Sequence, residues 1–375
     1  MTSADDRSVL RPRIVGALGS PDAGLVERLA LALGKHGRRV VSTSTAQLLS
    51  AMPVLEAGVE RVYWNPLAVG GNPSTWTAAS QHRLAAGLDT SGEHPLLHSC
   101  AWGLQELYFR QVGAALYFCD RIEPLVEIDE AALHIDWEAW ASTLTFGGPQ
   151  GEATPFREIR RVNAASAISI GPEGLRRYSF EPEWLNVELR PDAIDPREIV
   201  AQLEALMPVT RSWDAPVDIT LSGGWDSRLL AATATRVRGR RKIRSWTTST
   251  DDGIDDDVPL AAPVALAFGL KHRLYEPGPE SWLEHRHAAY ERLQHQTWMH
   301  TWSLPLADRL RGRRGPLLDG LAGDVLFKDT FIDRGVLEAP DHLASLDRLA
   351  ANLGGRRLTH PGPFAERASE WLLET

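Results

Sequence analysis

The sequence predicts an α/β protein of two domains, with a parallel sheet in the second domain. The chain has 375 residues, enough for two ordinary domains, and its apolar fraction of 43% is normal for a globular protein. After residue 195, strand-like segments alternate with helix-like segments, which is typical of a parallel sheet. The Pro- and charge-bearing stretch 181–195 precedes them and is the expected linker. We therefore place the domains at 1–185 and 186–375.

The first half mixes strand and helix patterns, and we expect an α+β domain there. Arg160–Ile170 and Leu175–Phe180 should pair around the turn Gly171–Gly174. Leu25, Leu29 and Leu33 recur at helical spacing. The other expected strands are Arg13–Leu18, Arg38–Thr43, Val59–Asn65, Leu96–Trp102 and Ala114–Cys119, and the expected helices are Ala23–His36 and Trp137–Phe146.

In the second half, Asp195 is placed to cap a helix that begins at Pro196. The strands expected after it are Val217–Leu221, Lys242–Thr248 and Lys271–Tyr275, and the helices are Asp226–Arg236 and Val258–Phe268. Ligands of doubly wound sheets bind at the carboxyl ends of the strands. We therefore expect the residues that follow Leu221 to contribute to a ligand-binding site.

Composition and charge narrow the function classes. A net charge of −9 argues against a broad nucleic-acid footprint. Two cysteines, Cys100 and Cys119, argue against a disulfide scaffold and fit a reducing cytoplasm. No apolar run is long enough to span a bilayer, and Met1–Arg13 lacks the apolar region of a signal peptide. We expect a cytoplasmic protein with no nucleic-acid or membrane partner.

The residues after the first strand of the second domain read Ser222-Gly-Gly-Trp-Asp-Ser227. A glycine turn between a strand and a helix presents backbone N–H groups to an anion, and Gly223 and Gly224 allow positive φ and close approach. Ser222 and Ser227 add hydroxyl donors. Asp226 would repel a phosphate unless Mg²⁺ lies between them. The structural alternative is an ordinary strand-to-helix turn capped by Asp226 and Ser227.

This segment resembles the pyrophosphate-binding loop of the ATP pyrophosphatase superfamily, whose domains have the adenine nucleotide α-hydrolase-like fold. Members include asparagine synthetases, β-lactam synthetases, lasso-peptide cyclases and tRNA-modifying ligases. The resemblance implies an ATP-dependent ligase that cleaves ATP between its α and β phosphates and leaves AMP on the substrate. It assigns nucleotide binding to Leu221, Ser222, Gly223, Gly224, Asp226 and Ser227.

A second informative stretch is Leu317-Leu-Asp-Gly-Leu-Ala-Gly-Asp-Val-Leu-Phe327. It resembles the Gly-x-Gly-Ser-Asp-Glu-Leu-Phe signature of asparagine synthetases. The resemblance adds Gly320 and Gly323 to the nucleotide site and implies that Asp226 and Asp324 hold Mg²⁺ and are catalytic. Two carboxylates with phosphate oxygens suit Mg²⁺. The structural alternative is a capped turn between a strand and a helix.

Two weaker features bear on the second domain. Asp256-Asp257 resembles the acidic pair that the family carries after its second strand, but acidic residues are also favoured at any helix N-terminus. Leu321 stands where relatives often carry a Glu or Tyr with a catalytic or tuning role, and an aliphatic side chain cannot act as a base.

The first domain resembles the Ntn-type glutaminase-like domain of asparagine synthetases. Tyr117–Leu125 is similar to its Asp-Arg-x-x-x-Pro-Leu segment, and Leu144–Gly147 and Thr154–Arg161 are similar to its helix and hairpin. That domain uses an N-terminal Cys to release ammonia from glutamine. Here Thr2 follows Met1, so we expect a degenerate domain without glutaminase activity.

Ser-Gly-Gly-Trp-Asp-Ser-Arg and the missing nucleophile make the chain most similar to lasso-peptide cyclases. This implies macrolactam closure of a precursor peptide, with a cysteine protease or a leader-binding protein as a further partner. Asparagine synthesis from ammonia or glutamine, and an inactive peptide- or nucleotide-binding scaffold, stay open. The charge of −9 counts against a tRNA-modifying ligase. The 51 residues after Asp324 are fewer than in relatives, so we expect an incomplete second domain.

Overall fold

The chain forms two compact units. The first comprises Met1–Leu189 and Tyr290–Trp298, and the second comprises Arg190–Ala289 and Met299–Thr375. The computed structural model describes residues 11–56, 60–64, 85–103, 105–129, 133–180, 195–207, 215–248, 257–294, 296, 303–313, 315–321, 323 and 333–359. The return of Tyr290–Trp298 to the first unit has no counterpart in the sequence prediction.

The first unit contains two six-stranded sheets, and every strand pair in them is antiparallel. One sheet has the order β10-β8-β9-β1-β3-β2 and the other β12-β11-β7-β6-β5-β4. The strands are β1 Ile14–Gly19, β2 Arg38–Ser42, β3 Ala46–Ser50, β4 Leu55–Glu56, β5 Arg61–Trp64, β6 Ala86–Asp89, β7 Leu96–His98, β8 Tyr108–Val112, β9 Ala115–Cys119, β10 Ile159–Arg161, β11 Ser166–Gly171 and β12 Gly174–Ser179.

Each face of the first sheet contributes to a separate core. Side chains alternate along a strand, so Ile14 and Leu18 of β1 face the second sheet and pack with its residues, among them Leu88 and Ile168. Val15 on the opposite face packs with the helix α1, Ala23–Leu33. The result is a helix layer on a sandwich of two sheets. The remaining helices of this unit are α2 Glu123–Val126 and α3 Trp137–Phe146.

Most first-half elements lie where the sequence predicts them, with one instructive exception. The expected strand Arg160–Ile170 is two strands in different sheets, because β10 pairs with β8 while β11 pairs with β7 and β12. Ala165 between them has a positive φ of 50°, which marks the turn where the chain changes sheets. The strands β3, β4, β6 and β8 were absent from the sequence prediction.

The second unit is built on a four-stranded sheet of order β15-β14-β13-β16, in which every pair is parallel. This confirms the predicted mixed α/β fold with a parallel sheet. The strands are β13 Val217–Thr220, β14 Ile243–Thr248, β15 Lys271–Tyr275 and β16 Leu317–Leu318, and the helices are α4 Pro196–Leu206, α5 Trp225–Arg238, α6 Asp257–Phe268, α7 Pro279–Leu293, α8 Ser303–Leu310, α9 Arg334–Leu337 and α10 His342–Thr359. The last four residues of α7, from Tyr290, are assigned to the first unit. In the described parts of the chain, no helix combines the length and the apolar character needed to cross a membrane.

Small side chains let the helices approach this sheet closely. Ala231 and Ala234 of α5 and Ala261 and Ala265 of α6 are buried in one core with Val217 and Ile219 of β13. The helix α4 begins as predicted, since the Asp195 carboxylate accepts a hydrogen bond from Arg197 N at 2.8 Å. The close packing fixes the strand from which the glycine turn emerges.

A buried carboxylate lies in the middle of this sheet. Asp218 of β13 is 2% exposed. Arg244 of β14 donates to both of its oxygens, at 2.9 and 2.6 Å, and Trp246 Nε1 donates to Oδ1 at 2.7 Å. Arg313 lies 3.6 Å from the same oxygen and its guanidinium lies 5.0 Å from the Trp246 ring. The charge of Asp218 is thus compensated where water is excluded.

We predict that Asp218→Asn destabilises the second unit by about 2–4 kcal/mol, because two guanidinium groups lose their buried counter-charge. Urea unfolding followed by far-UV circular dichroism measures the change. Glu338→Gln is the control, since it breaks the exposed Arg334–Glu338 pair of the same unit and should cost less than about 1 kcal/mol. Equal midpoints for Asp218→Asn and the wild-type protein would contradict the role of the cluster.

Candidate functional site

The candidate site is at the carboxyl end of β13. This strand has β14 on one side and β16 on the other, so the chain order reverses there. Such a reversal opens a crevice beyond the strand ends, where ligands of open α/β sheets bind. The register Asp218↔Leu317 and Ile219↔Leu318 brings the two informative stretches of the sequence to this one edge.

Leu221 anchors the turn to the sheet. Its N–H donates to Trp246 O at 2.7 Å, and its carbonyl accepts from Thr247 Oγ1 at 2.5 Å. The side chain is 2% exposed. Both of its backbone polar groups are therefore bonded to β14, and Leu221 positions the turn rather than offering a donor to a ligand.

The two serines of the turn bond to each other. Ser222 N donates to Ser227 Oγ at 3.1 Å, and the two hydroxyl oxygens are 2.8 Å apart. Gly224 N donates to Ser222 Oγ at 3.1 Å. The N–H groups of Ser222 and Gly224 are thus paired with hydroxyls of the same turn. An anion that binds to these N–H groups would have to replace the hydroxyls.

The turn also accepts a carboxylate from a neighbouring helix. Gly223 N donates to Asp257 Oδ1 at 2.9 Å, and Asp257 is the first residue of α6. The turn thus already holds an oxygen anion at one of its N–H groups. Asp256, the other member of the acidic pair, lies outside the described residues.

The turn favours glycine because a Cβ atom has little room there, and not because its backbone needs a positive φ angle. The expectation of positive φ was wrong, because neither Gly223 nor Gly224 is among the positive-φ residues, and φ of Gly224 is −72°. A Cβ atom on Gly223 would lie 2.7 Å from Cδ1 of Leu260, and one on Gly224 would lie 3.1 Å from Ser222 Oγ. At Gly223 the backbone approaches α6 too closely for a Cβ atom, whereas at Gly224 a Cβ atom would need the Ser222 hydroxyl to shift by a few tenths of an ångström.

The second motif packs against the first turn of α5. A Cβ on Gly323 would lie 2.6 Å from both Cβ and Cγ of Asp226, and a Cβ on Gly320 would lie 3.0 Å from Ser227 N. The structure therefore brings Gly320 and Gly323 onto Asp226 and Ser227, as one site requires. Asp324 lies outside the described residues.

Asp319 is a site-forming residue that the sequence reasoning missed. Its carboxylate accepts from Thr220 Oγ1 at 2.7 Å and from Leu321 N at 2.7 Å. The bond from Thr220 joins the end of β13 to the turn after β16 across 99 residues, and the bond from Leu321 N lies within that turn. The available signal was an Asp directly before a Gly at a strand end, which is typical of an Asx turn. Leu321 itself is 63% exposed.

Arg228 adds a positive charge beside the turn. Its Nε donates to Gly224 O at 3.1 Å, and its guanidinium lies 4.2 Å from the ring centre of Trp225, which is 72% exposed. Stacking on the ring holds the guanidinium at the N-terminal end of α5. An anion in the turn would meet this charge as well as the N–H groups.

The described residues suit a magnesium ion that arrives with a phosphate ligand. They include no group of three or more His, Cys, Asp or Glu side chains placed to hold a metal. Mg²⁺ is usually bound by one or two carboxylates together with substrate phosphates and water, and not by a cage of protein ligands. Asp226, in the first turn of α5 beside the glycine turn, fits that arrangement.

Comparison with known proteins agrees with this geometry. The asparagine synthase family matches residues 209–328, a range that contains both motifs. This match points to an ATP-dependent enzyme of the C–N ligase or amidotransferase type. A search of the curated proteins finds no match.

Two solved structures are similar to parts of the chain. The NH3-dependent NAD synthetase from Campylobacter jejuni, in complex with nitrate, is 12% identical with a TM-score of 0.25, and the match covers 48% of this chain and 93% of that chain. The glutamine-dependent NAD+ synthetase from Acinetobacter baumannii, in complex with ADP, is 18% identical with a TM-score of 0.29, covering 50% and 41%. Neither similarity assigns a ligand or a reaction to this chain.

Gly323→Ala should destabilise the second unit by about 1–3 kcal/mol, since the new methyl group overlaps Asp226 and the close packing must open. Urea unfolding measures the loss. Gly278→Ala in the same unit is the matched control, because a Cβ there meets no heavy atom within 4 Å. Two variants of equal stability would show that the two motifs do not pack as described.

Asp257→Ala should tighten the binding of inorganic pyrophosphate at least ~5-fold, because it removes a carboxylate that repels the anion and competes for Gly223 N–H. Titration calorimetry without divalent cations measures the dissociation constant. Asp347→Asn, an exposed change on α10, controls for net charge. An unchanged or weaker affinity in Asp257→Ala would be the contrary result.

Proposed function

We propose that the chain is an ATP-dependent amide ligase that activates a carboxylate as an acyl-adenylate and releases pyrophosphate. The observation that carries this proposal is the packing of Gly320 and Gly323 on Asp226 and Ser227 at the carboxyl end of β13. Both motifs lie inside the range that matches the asparagine synthase family. A strand, a glycine turn and a helix N-terminus supply the donors that a pyrophosphate group needs.

The residues of the turn would hold the leaving pyrophosphate. The hydroxyls of Ser222 and Ser227 and the N–H groups of Gly223 and Gly224 bond to one another or to Asp257, so they are already oriented. Exchange of these internal partners for phosphate oxygens needs little rearrangement, which is the basis of electrostatic preorganisation.

Asp226 would hold Mg²⁺ together with phosphate oxygens, and Asp324 is the second proposed ligand. When bound, the ion neutralises phosphate charge and so stabilises the negative charge that develops as pyrophosphate leaves. The first turn of α5 orients Asp226, and the absence of a side chain at Gly323 leaves room for its carboxylate.

The proposed acceptor is a precursor peptide, whose α-amine attacks the adenylated side-chain carboxylate, releases AMP and closes a macrolactam. Support comes from the resemblance of Ser-Gly-Gly-Trp-Asp-Ser-Arg to the loop of lasso-peptide cyclases and from the exposed Trp225, stacked by Arg228. The proposed partners are that peptide and a protease or leader-binding protein, in the cytoplasm.

We also propose that the first unit is a degenerate Ntn-type glutaminase-like domain. Its two stacked antiparallel sheets with a helix layer support this assignment. Cys100 and Cys119 are fully buried, and burial, with the neighbouring Asp120, raises the pKa of the Cys119 thiol well above its ordinary value. Such a thiol is a poor nucleophile, so the amine would not come from glutamine through Cys119.

Exchange of radioactive pyrophosphate into ATP tests the ligase proposal. We predict that a peptide with a free α-amine and a side-chain carboxylate supports exchange. Mass spectrometry should show a peptide product that is lighter by the mass of one water. Asp226→Asn should reduce the exchange rate by about 100-fold or more. Asp347→Asn should leave the rate unchanged.

The other arms of the experiment separate the alternatives. Exchange and asparagine formation with aspartate and ammonium would replace the peptide ligase by an asparagine synthetase. No exchange with either substrate, together with tight binding of ATP, would identify an inactive scaffold and overturn the proposal.

A further inference from the structure

The first unit contains a cavity that the proposed ligase chemistry does not use. Its volume is about 450 Å³, within the range of small-ligand sites. It lies between α2, the segment Pro155–Phe156 and the returning segment Tyr290–Gln294. All of these residues belong to the first unit.

The wall made by the returning segment is fastened by specific hydrogen bonds. Arg121 donates to the carbonyl of Glu291 at 2.8 Å, while its guanidinium also pairs with Glu123 at 2.6 Å. Ile122 N donates to Gln294 Oε1. Gln294 is 5% exposed and has a positive φ of 54°, which few non-glycine residues adopt. A residue held in this conformation indicates that the surrounding contacts determine the wall.

Both apolar and acidic residues line the cavity. Most of the lining is aliphatic or aromatic, including Val126, Trp140 and Phe156. Three carboxylates line it as well, and none of the lining residues is Lys or Arg. Arg121 compensates Glu123, but Glu127 and Glu291, both exposed, form no ion pair within the described residues. The site therefore carries negative charge beside an apolar pocket.

We propose that this cavity binds a peptide segment in which an apolar side chain stands next to Arg or Lys. The apolar side chain fills the pocket between Trp140 and Phe156, and the cation meets Glu127 and Glu291. The aromatic lining residues add attraction for a cation. Ile135 also lines the cavity and is 45% exposed, so a bound chain can continue past it into solvent, which favours a peptide over a free amine.

This inference is independent of the proposed function, because it concerns the first unit and needs no ATP. The probe is acetyl-Phe-Arg-amide, titrated calorimetrically into the full chain. Acetyl-Phe-Gln-amide removes the cation, acetyl-Ser-Arg-amide removes the apolar group, and phenethylamine represents a free amine. We expect each of these three ligands to bind at least ~10-fold more weakly than acetyl-Phe-Arg-amide.

The variant Glu127→Gln/Glu291→Gln should remove the preference for Arg over Gln while the chain stays folded, because both side chains are exposed and unpaired. Ile135→Arg should block the probe by placing a cation in the lining of the cavity. Glu138→Gln, an exposed change on the neighbouring helix α3, is the matched control and should bind as the wild-type protein does.

Equal affinities for the Arg and Gln probes, or a doubly substituted protein that still prefers Arg, would overturn the proposal. Phenethylamine binding as tightly as acetyl-Phe-Arg-amide would assign the cavity to small amines and exclude the peptide. Loss of pyrophosphate exchange in Asp226→Asn with unchanged probe binding would separate the two sites.

Discussion

The candidate site depends on the parallel pairing of β13 with β16. Two aligned residue pairs, Asp218↔Leu317 and Ile219↔Leu318, bring together motifs that are about a hundred residues apart in the chain. The bond from Thr220 to Asp319 extends this pairing beyond the strands. Parallel strands need a crossover connection, and here that connection contains β14, β15 and the helices between β13 and β16.

The glycine turn is the candidate anion site, and its backbone N–H groups already have hydrogen-bond partners. The N–H groups of Ser222, Gly223 and Gly224 donate to Ser227 Oγ, Asp257 Oδ1 and Ser222 Oγ, so each of these three donors has a partner. The contacts that stabilise the turn therefore preserve its geometry. In the proposed function, phosphate oxygens would replace the hydroxyl and carboxylate oxygens, and binding would be an exchange of partners with a small reorganisation cost.

The first unit is organised around different chemistry. One sheet contributes to two cores, one between the two sheets and one beneath the helix α1. Cys119 is buried in the core beneath α1. Its burial makes the Cys119 thiol a poor nucleophile. The cavity beside α2 has a largely apolar lining that also includes three carboxylates, and it is the site of the proposed peptide recognition.

The sequence alone determined local features, because periodicity, caps and turns are set by neighbouring residues. It predicted α3, β15, the start of α4 and the glycine turn, and it placed a possible partner motif at Gly320 and Gly323. Only the tertiary structure decided which strands pair, that one expected strand is two, and that residues 290–298 return to the first unit. It also decided that Gly223 is needed for clearance from Leu260, and that Asp257 reaches the turn. These are contacts between distant residues, and the chain spacing that a single sequence displays does not encode them.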